Sequence, residues 1–205
     1  MMRTRLRDRE RSIAMAMLKM DHRTIRGLFA RFDGSKNAAE KRRVIAGALK
    51  ELKIHAAIEE QIFYPAVRLE AGDSAGLMEQ ADEEHHEVKL LIAELARMTG
   101  REANFFAKFT VLRDNVCHHI EKEEGEMMPR ASRTGINFEA LGERMGELKM
   151  RLCENGVPQD AESVMVNGAG LPGESPAKKA LKTIDVPLWG RRRPWLSPLG
   201  ARRRS

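Results

Sequence analysis

The chain has few of the residues that build disulfide frameworks, strands or membrane spans. Two of its 205 residues are cysteine, and aromatic residues make up 5% of the sequence. Two cysteines are too few for a disulfide framework, which favours a reduced, cytoplasmic setting. The sequence has no run of about 18 apolar residues, so it predicts no transmembrane segment. Leu, Ala, Met and Glu are abundant instead, and this composition favours a helical protein.

Positive charge is concentrated at one end of the chain. The formal net charge is +6, but residues 176–205 hold nine Lys or Arg and one Asp, which leaves the other 175 residues slightly acidic. This end is rich in Pro and Gly and lacks amphipathic spacing, so we expect a disordered basic tail over 156–205. Contact with nucleic acid or an anionic membrane surface is its functional interpretation. A merely solubilising tail is the more ordinary alternative.

Proline and glycine divide the rest of the chain into amphipathic stretches. The pattern predicts four long helices, over about 9–32, 38–69, 74–98 and 102–128, and a weaker fifth over 137–152. Pro65 is expected to kink or end the second helix, and Pro129 to end the fourth. Short connections make neighbouring helices antiparallel, so we predict an all-α, up-down-up-down four-helix bundle. The predicted segments are 1–11 (basic), 12–132 (the bundle), 133–155 (an additional helix) and 156–205 (the tail).

The stretch "CHHIEKEEGEMMP" (117–129) places a histidine and a glutamate on the apolar side of the fourth helix. Residues four apart on a helix lie about 40° apart, so His119 and Glu123 share a face. That face also carries Leu112 and Val116. His118 is instead aligned with charged residues. We therefore expect His119 and Glu123 to face the core of the bundle.

The other three helices show a related pattern. In "HAAIEEQIFYP" (55–65), His55 and Glu59 are four apart and lie beside apolar residues. His85 in the third helix and His22 in the first also lie on apolar stripes. A lone inward histidine is usually a core residue with a hydrogen-bond partner, but four helices doing this in register predict a shared ligand.

Two buried carboxylates beside four imidazoles require positive charge, because burying an unpaired carboxylate costs several kcal/mol. Four imidazole nitrogens and two carboxylates suit first-row transition metals such as iron. Two carboxylates that can each bridge suit a pair of metals about 3.5–4 Å apart. The remaining histidines and glutamates of these stretches are expected to face water: His86, His118, Glu60, Glu121, Glu124 and Glu126. An alternative role for Glu126 is to accept a hydrogen bond from a metal ligand. Cys117 is expected to be an inert packing residue.

Four motifs together resemble the bacterial hemerythrin-like proteins, the HHE cation-binding domains. They are "DHRTIRGLF", "HAAIEEQIFYPAVR", "EEHHEVKLLIAEL" and "HHIEKEEGEMMP", in the family's order and within residues 12–130. The resemblance implies a non-haem di-iron centre, oxo- or hydroxo-bridged, inside a four-helix bundle. It assigns Glu59 and Glu123 as bridging carboxylates. The implied metal ligands are His22, His55, Glu59, His85, His119 and Glu123.

The sequence departs from the oxygen-carrying hemerythrins at Lys89, where those proteins have a further histidine one turn after the third helix's ligand. One iron is therefore expected to keep an open position, with Lys89 turned towards solvent or towards a carboxylate such as Glu59. This departure argues against reversible oxygen carriage and favours a reactive role with oxygen, peroxide or nitric oxide, or a role in iron handling. The leading hypothesis is a di-iron protein that binds or reacts with dioxygen or related small molecules, in stress protection or iron handling. Whether it is an enzyme is open at this point.

Three alternatives to that function stay open. A metal- or oxygen-responsive regulatory module would act on a partner through the fifth helix or the tail. A ferritin-like carboxylate oxidase ranks lower, because such sites use Glu-x-x-His and here the histidine comes first, at spacing four. The third alternative is a structural bundle without metal.

Overall fold

The computed structural model describes residues 12–70 and 75–158, and every regular element in these two ranges is helical. The predicted basic segment 1–11 and residues 159–205 of the predicted tail lie outside the described residues, as does the predicted helix start at 9. The elements are α1 (Ile13–Gly34), α2 (Ala38–Ile58), π1 (Glu59–Phe63), α3 (Tyr64–Glu70), α4 (Ala75–Arg97), α5 (Phe105–Lys122), π2 (Glu123–Met127), α6 (Met128–Ala131) and α7 (Phe138–Asn155).

Side-chain caps define the start of three helices. The Ser12 hydroxyl accepts from the backbone N–H of Met15, which begins α1. The Asn37 side chain accepts from two backbone N–H groups of α2, and Asn137 accepts from one of α7. A capping oxygen satisfies N–H groups that lack a partner within the helix, at roughly 1 kcal/mol per cap. These polar residues therefore fix where each amphipathic stretch begins.

Neither proline ends its helix. Pro65 lies in α3 and Pro129 in α6, each just after a π-helical segment, π1 or π2. The prediction that Pro129 ends the fourth helix was therefore wrong, and of the two predictions for Pro65, a kink or an end, the end was wrong. A proline inside a regular α-helix removes a hydrogen bond, and its ring collides with the carbonyl four residues back. That carbonyl lies in π1 or π2, whose wider turn leaves room for the ring, so the chain continues as a helix.

The helices form the all-α bundle that the sequence predicts. α1 packs on α2 and α4 packs on α5, while contacts of α2 with α4 and of α1 with α5 close the bundle. α7, the predicted fifth helix, packs on α1, α2 and π1. None of the helices in the described ranges has the length and apolarity needed to cross a membrane.

A layer of polar side chains divides the bundle core into two apolar clusters. One cluster lies where α1 begins and α2 ends, and α7 also contributes to it. It includes Met15, Ile58, Phe63, Met78 and Met145. The other lies beyond the polar layer and includes Phe29, Phe32, Leu52, Ile92 and Phe109. α1, α2 and α4 contribute residues to both clusters, and the fourth side of the bundle does so through α5 in one cluster and through π2 and α6 in the other. Each of these four segments therefore passes through the polar layer. That layer contains the predicted metal ligands.

Gly142 allows α7 to approach α1 closely. A Cβ atom at Gly142 would lie 2.6 Å from the backbone nitrogen of Ala14 and 2.8 Å from side-chain atoms of Ile13. Real Cβ contacts are not this short, so only a residue without a side chain fits here. Further along α7, a Cβ atom at Gly146 would lie an ordinary 3.5 Å from the Met17 Cε atom. Because residue numbers rise together on both helices, α7 runs parallel to α1.

Candidate metal centre

The six residues predicted to face inward meet in one buried layer. Their exposed fractions are at most 5%, and those of His22, Glu59 and Glu123 are 0%. Each long helix supplies one histidine, and the glutamates begin π1 and π2. The spacing of four residues thus placed each histidine and its glutamate on one face, as the sequence predicts.

The donor atoms fall into two groups that share one residue. One group is His22, His55, Glu59 and Glu123, and the other is Glu59, His85 and His119. Within each group, one donor atom per residue lies within 4.8 Å of all the others. Two metal ions that share a carboxylate need this arrangement.

The carboxylate oxygens of this layer are buried without hydrogen bonds. His55 Nε2 lies 3.2 Å from Glu59 Oε1, and His22 Nε2 lies 3.2 Å from Glu123 Oε2. Neither contact has hydrogen-bond geometry, and no oxygen of Glu59 or Glu123 makes a hydrogen bond with any residue in the described ranges. Orphaned buried oxygens beside imidazole nitrogens are a chemically suitable donor set for a cation.

The two buried carboxylates also interact with each other. Burial raises the pKa of Glu59 well above its usual range, and the negative charge of Glu123 raises it further. Glu59 therefore favours the protonated acid when only protein surrounds it. A divalent cation would take the place of that proton, so metal binding at this site would release protons.

Tyr64 lies at the same layer, a position that helical spacing did not predict. Its hydroxyl is 3.0 Å from His85 Nε2 and 3.2 Å from His119 Nε2. Tyr64 is five residues after Glu59, which in an α-helix would put the two side chains about 140° apart. The π turn bonds the Tyr64 N–H to the Glu59 carbonyl and so brings Tyr64 over Glu59. Burial raises the pKa of Tyr64 well above its usual value, as do the charges of Glu123 and Glu59, so its hydroxyl keeps the proton.

The outward nitrogens of the histidines face a second layer of carboxylates. His22 Nδ1 lies 2.7 Å from Glu124, His85 Nδ1 lies 3.1 Å from Glu60, and His119 Nδ1 lies 3.0 Å from Glu84. The expectation that Glu60 and Glu124 face water was therefore wrong. Each follows an inward glutamate directly and reaches a histidine on another helix, a contact that periodicity within one helix cannot reveal.

His55 has a more distant partner of the same kind. Asp21 Oδ2 lies 3.9 Å from His55 Nδ1, beyond hydrogen-bond distance but within range of an ion pair. Asp21 is 6% exposed. Burial alone would raise its pKa, but the neighbouring His55 and Lys149 outweigh burial and lower it. All four imidazoles therefore have a carboxylate on the side away from the cluster.

A cation lies behind each outer carboxylate. Lys89 Nζ is 2.8 Å from Glu60, so Lys89 turns to a carboxylate as predicted, though to Glu60 rather than Glu59. Lys122 Nζ is 2.6 Å from Glu84, and the pKa of Glu84 falls to about 2 because His119 and Lys122 both donate to it. The other two carboxylate–cation pairs are Glu124 with Arg26 and Asp21 with Lys149.

The other candidate residues lie away from the cluster. His118, Glu121 and Glu126 are exposed, and His86 is half-buried. Glu126 is 3.9 Å from Arg130 and not near a histidine, so it is not an acceptor behind the ligands. Cys117 packs against the apolar cluster that contains Phe109, as expected.

A small cavity borders the cluster. Its lining comes from α4 and from the α5 and π2 segments: Leu77, Ala81, Glu84, His119, Lys122, Glu123 and Met127. The ion pair Glu84–Lys122 lies among these residues. Two of the candidate ligands, His119 and Glu123, therefore border this cavity.

Several known proteins are similar to this chain. A DNA nickase from Nostoc is 26% identical over 133 residues, which cover 65% of this chain and 37% of the nickase. The uncharacterized protein Rv2633c of Mycobacterium tuberculosis is 29% identical over 136 residues, covering 64% of this chain and 82% of that protein.

A solved structure and a family model agree with these similarities. The crystal structure of a hemerythrin HHE cation binding domain-containing protein from Mycobacterium kansasii, a homologue of Rv2633c, has a TM-score of 0.55 and 26% identity. The similarity covers 72% of this chain and 95% of that structure. The model of the hemerythrin HHE cation binding domain matches residues 14–131, well over half of the sequence and all of the polar layer, so the chain belongs to the hemerythrin HHE cation-binding family.

Proposed function

We propose that the chain is a non-haem di-iron protein that binds or reacts with dioxygen or related small molecules such as peroxide and nitric oxide. One observation carries this proposal: two buried groups of nitrogen and oxygen donors share Glu59 in a layer whose carboxylate oxygens lack hydrogen bonds with the described residues. Metal binding itself is supported by family membership and by this cluster.

We assign one iron to His22 and His55 and the other to His85 and His119. Glu59 would bridge the two ions, because its two oxygens lie 3.2 Å from His55 Nε2 and 3.3 Å from His85 Nε2. Glu123 would be the second bridge. Its Oε2 lies 3.2 Å from His22 Nε2 and 4.0 Å from His119 Nε2.

The outer carboxylates support this assignment through the histidine tautomer. A carboxylate facing Nδ1 favours the form with the proton on Nδ1, which leaves the Nε2 lone pair directed at the metal. Glu124, Glu60 and Glu84 do this at hydrogen-bond distance. The protein thus holds the imidazoles in one orientation before the metal enters.

Iron would supply the redox chemistry that side chains lack, and the surrounding residues limit what reaches it. Lys89 is held by Glu60 and offers no nitrogen lone pair while protonated, so it leaves a coordination position free. The Tyr64 hydroxyl lies next to His85 and His119, the two histidines assigned to the same iron. The small cavity beside His119 and Glu123 has an apolar side formed by Leu77 and Ala81. These features favour a reactive site for small molecules, in stress protection or iron handling.

The experiment that tests the proposal is iron stoichiometry together with absorption spectra, recorded anaerobically and then after admission of air. We expect two irons per chain and a change in the near-ultraviolet and visible spectrum when oxygen enters. Peroxide and nitric oxide are added separately to the reduced protein to define the ligand. Iron content well below two would contradict the di-iron assignment. Two irons with no spectral response to any of the three molecules would contradict the reactive role.

A further inference from the structure

The helix α7 lies beyond the part of the chain that the family model matches, yet one of its side chains reaches the polar layer. Lys149 on α7 pairs with Asp21 on α1. Asp21 in turn faces His55. The family match ends at residue 131, and α7 begins at Phe138. Lys149 and Asp21 therefore link α7 to the candidate ligand His55.

We infer that Lys149 is a positioning residue of the metal centre, which holds Asp21 against His55 and makes α7 a functional part of the site. The inference rests on the proposed metal site and adds to it a residue outside the four-helix bundle. Lys149 would not touch the metal. It would act on the ion bound by His22 and His55.

The first step of the argument is the burial of Asp21. A carboxylate with an exposed fraction of 6% needs a partner of opposite charge, because water cannot solvate it. The Lys149 ammonium supplies that charge at the partly exposed end of the pair. Without Lys149, the Asp21 carboxylate would turn away from the core towards water.

The second step is the position of His55. Its Nδ1 atom is buried and makes no hydrogen bond with a residue in the described ranges. The other three histidines have a carboxylate within 2.7–3.1 Å of Nδ1, whereas Asp21 stands 3.9 Å away. At that distance the interaction is the field of a fixed charge, so it depends on what keeps Asp21 in place. Lys149 has that task.

The third step is the register of α7 on α1. Gly142 meets Ala14, and seven residues later on both helices Lys149 meets Asp21. Two contacts with equal spacing on parallel helices fix both the position and the rotation of α7. The direction of Lys149 towards Asp21 is therefore set by packing and does not rely on a flexible side chain alone.

The test is an anaerobic titration of metal-free full-length protein with Fe²⁺ in competition with a chelator, which gives an affinity for each of the two ions. Lys149→Met should weaken one ion by about 10- to 100-fold and leave the other unchanged, as loss of an outer partner of a histidine ligand does elsewhere. Lys149→Arg should restore the affinity, because it keeps the charge. Arg144→Met is the matched control, since Arg144 is an exposed cation of the same helix.

A second variant separates positioning from stability. Lys149→Met leaves the buried Asp21 unpaired and would lower the melting temperature, so Asp21→Asn with Lys149→Met removes both charges together. We expect this double variant to melt near the unmodified protein when metal-free and still to bind one ion weakly. The visible spectrum of the Co²⁺-loaded form should change at one of two sites.

Three results would overturn the inference. Two normal affinities in the well-folded double variant would show that Lys149 has only a structural role. An equal loss of both ions, which Lys149→Arg does not restore, would show a general packing defect. If the unmodified protein binds no Fe²⁺, the proposed function and this inference both fall, whereas normal binding in the variants overturns the inference alone.

Discussion

Residues 55–65 and 119–129 can be compared position by position. Each stretch has a histidine, a glutamate four residues later and a proline six residues after that. In each, the glutamate begins a π-helical segment and the next residue, Glu60 or Glu124, binds a histidine of another helix. One local device thus serves both halves of the polar layer.

The two stretches differ at the residue that closes the π turn. It is Tyr64 in the first, with its hydroxyl against two imidazoles, and Met128 in the second, buried in an apolar cluster. Glu59 also belongs to both donor groups, whereas Glu123 belongs to one. Equal backbone geometry therefore yields two unequal groups of donor atoms, and single side chains determine the difference.

The largest effect is expected from the inward glutamates. Glu59→Gln should remove both irons, because Glu59 belongs to both donor groups. Glu123→Gln should remove one, because Glu123 belongs to the group of His22 and His55 alone. Iron per chain, measured after anaerobic loading, checks this. Glu126→Gln is the control, since its side chain is exposed and lies near Arg130. Equal losses from Glu59→Gln and Glu123→Gln would remove the inequality between the halves, and iron loss in the control would contradict the assignment of faces.

Removing the metal should affect both halves together. The metal-free protein leaves two buried carboxylates and four imidazoles facing each other, so we expect it to melt at a lower temperature. Metal that binds only the folded state stabilises it by about 2.7 kcal/mol at 100 times its dissociation constant. Thermal unfolding with and without a chelator measures the difference. The chelator should leave the melting temperature of Glu59→Gln unchanged, and an unchanged melting temperature of the unmodified protein would place the cluster outside the folding unit.

The outer glutamates should give a smaller loss on opposite sides of the comparison. Glu60→Gln should weaken the ion at His85, and Glu124→Gln the ion at His22, each by about 10- to 100-fold in affinity. Competitive titration with Fe²⁺ measures both. The exposed Glu121 provides the control variant, Glu121→Gln. The idea fails for either residue whose variant binds both ions as tightly as the unmodified protein.

Exchange at the closing residue tests the inequality itself. Tyr64→Phe deletes the hydroxyl that contacts the Nε2 atoms of His85 and His119, the atoms assigned to one iron, so it should change the affinity for that ion by roughly 10-fold and leave the other unchanged. The metal-free protein should lose about 1 kcal/mol of stability through the broken hydrogen bonds. Met128→Leu keeps an apolar side chain of similar volume and should leave both affinities unchanged. Metal titration and urea unfolding give the two numbers. A loss of affinity in Met128→Leu that matches Tyr64→Phe would make the halves equivalent.

The smallest effect is expected at the prolines. In a regular helix, replacing an interior proline should stabilise by about 3 kcal/mol. The carbonyl four residues before each proline lies in π1 or π2, whose wider turn leaves room for the proline ring. Pro65→Ala and Pro129→Ala should therefore each change the free energy of unfolding by less than about 1 kcal/mol. Urea unfolding of the metal-free variants measures it. A gain near 3 kcal/mol in one half alone would show that its π turn is strained and the other is not.

Much of the fold and the inward residues could be predicted because both follow from local patterns. Proline, glycine and apolar spacing predicted the helices, and the 100° rotation per residue separated His119 from His118. The same rule failed at Tyr64 and at the prolines, because it assumes an unbroken α-helix. The repeated glutamate-to-proline spacing of six was the signal that could have revealed both π turns.

The outer residues were missed for a different reason. Glu84, Asp21 and Glu60 look like surface positions when each helix is considered alone. Their partners lie on other helices, and which helix faces which is a property of the assembled bundle. Lys149 is the extreme case, since it is separated from Asp21 by 128 positions in the chain.

The glycine at position 142 has a consequence far from itself. Any side chain there would push α7 away from the first turn of α1, because a Cβ would lie 2.6 Å from the Ala14 nitrogen. Lys149 lies seven residues further along α7, about 10.5 Å away by helix rise, so a tilt of α7 at position 142 would displace Lys149. A single added methyl group, which brings neither charge nor metal donor, would thereby move the ammonium that holds Asp21. Gly142 thus determines the position of the Lys149 side chain.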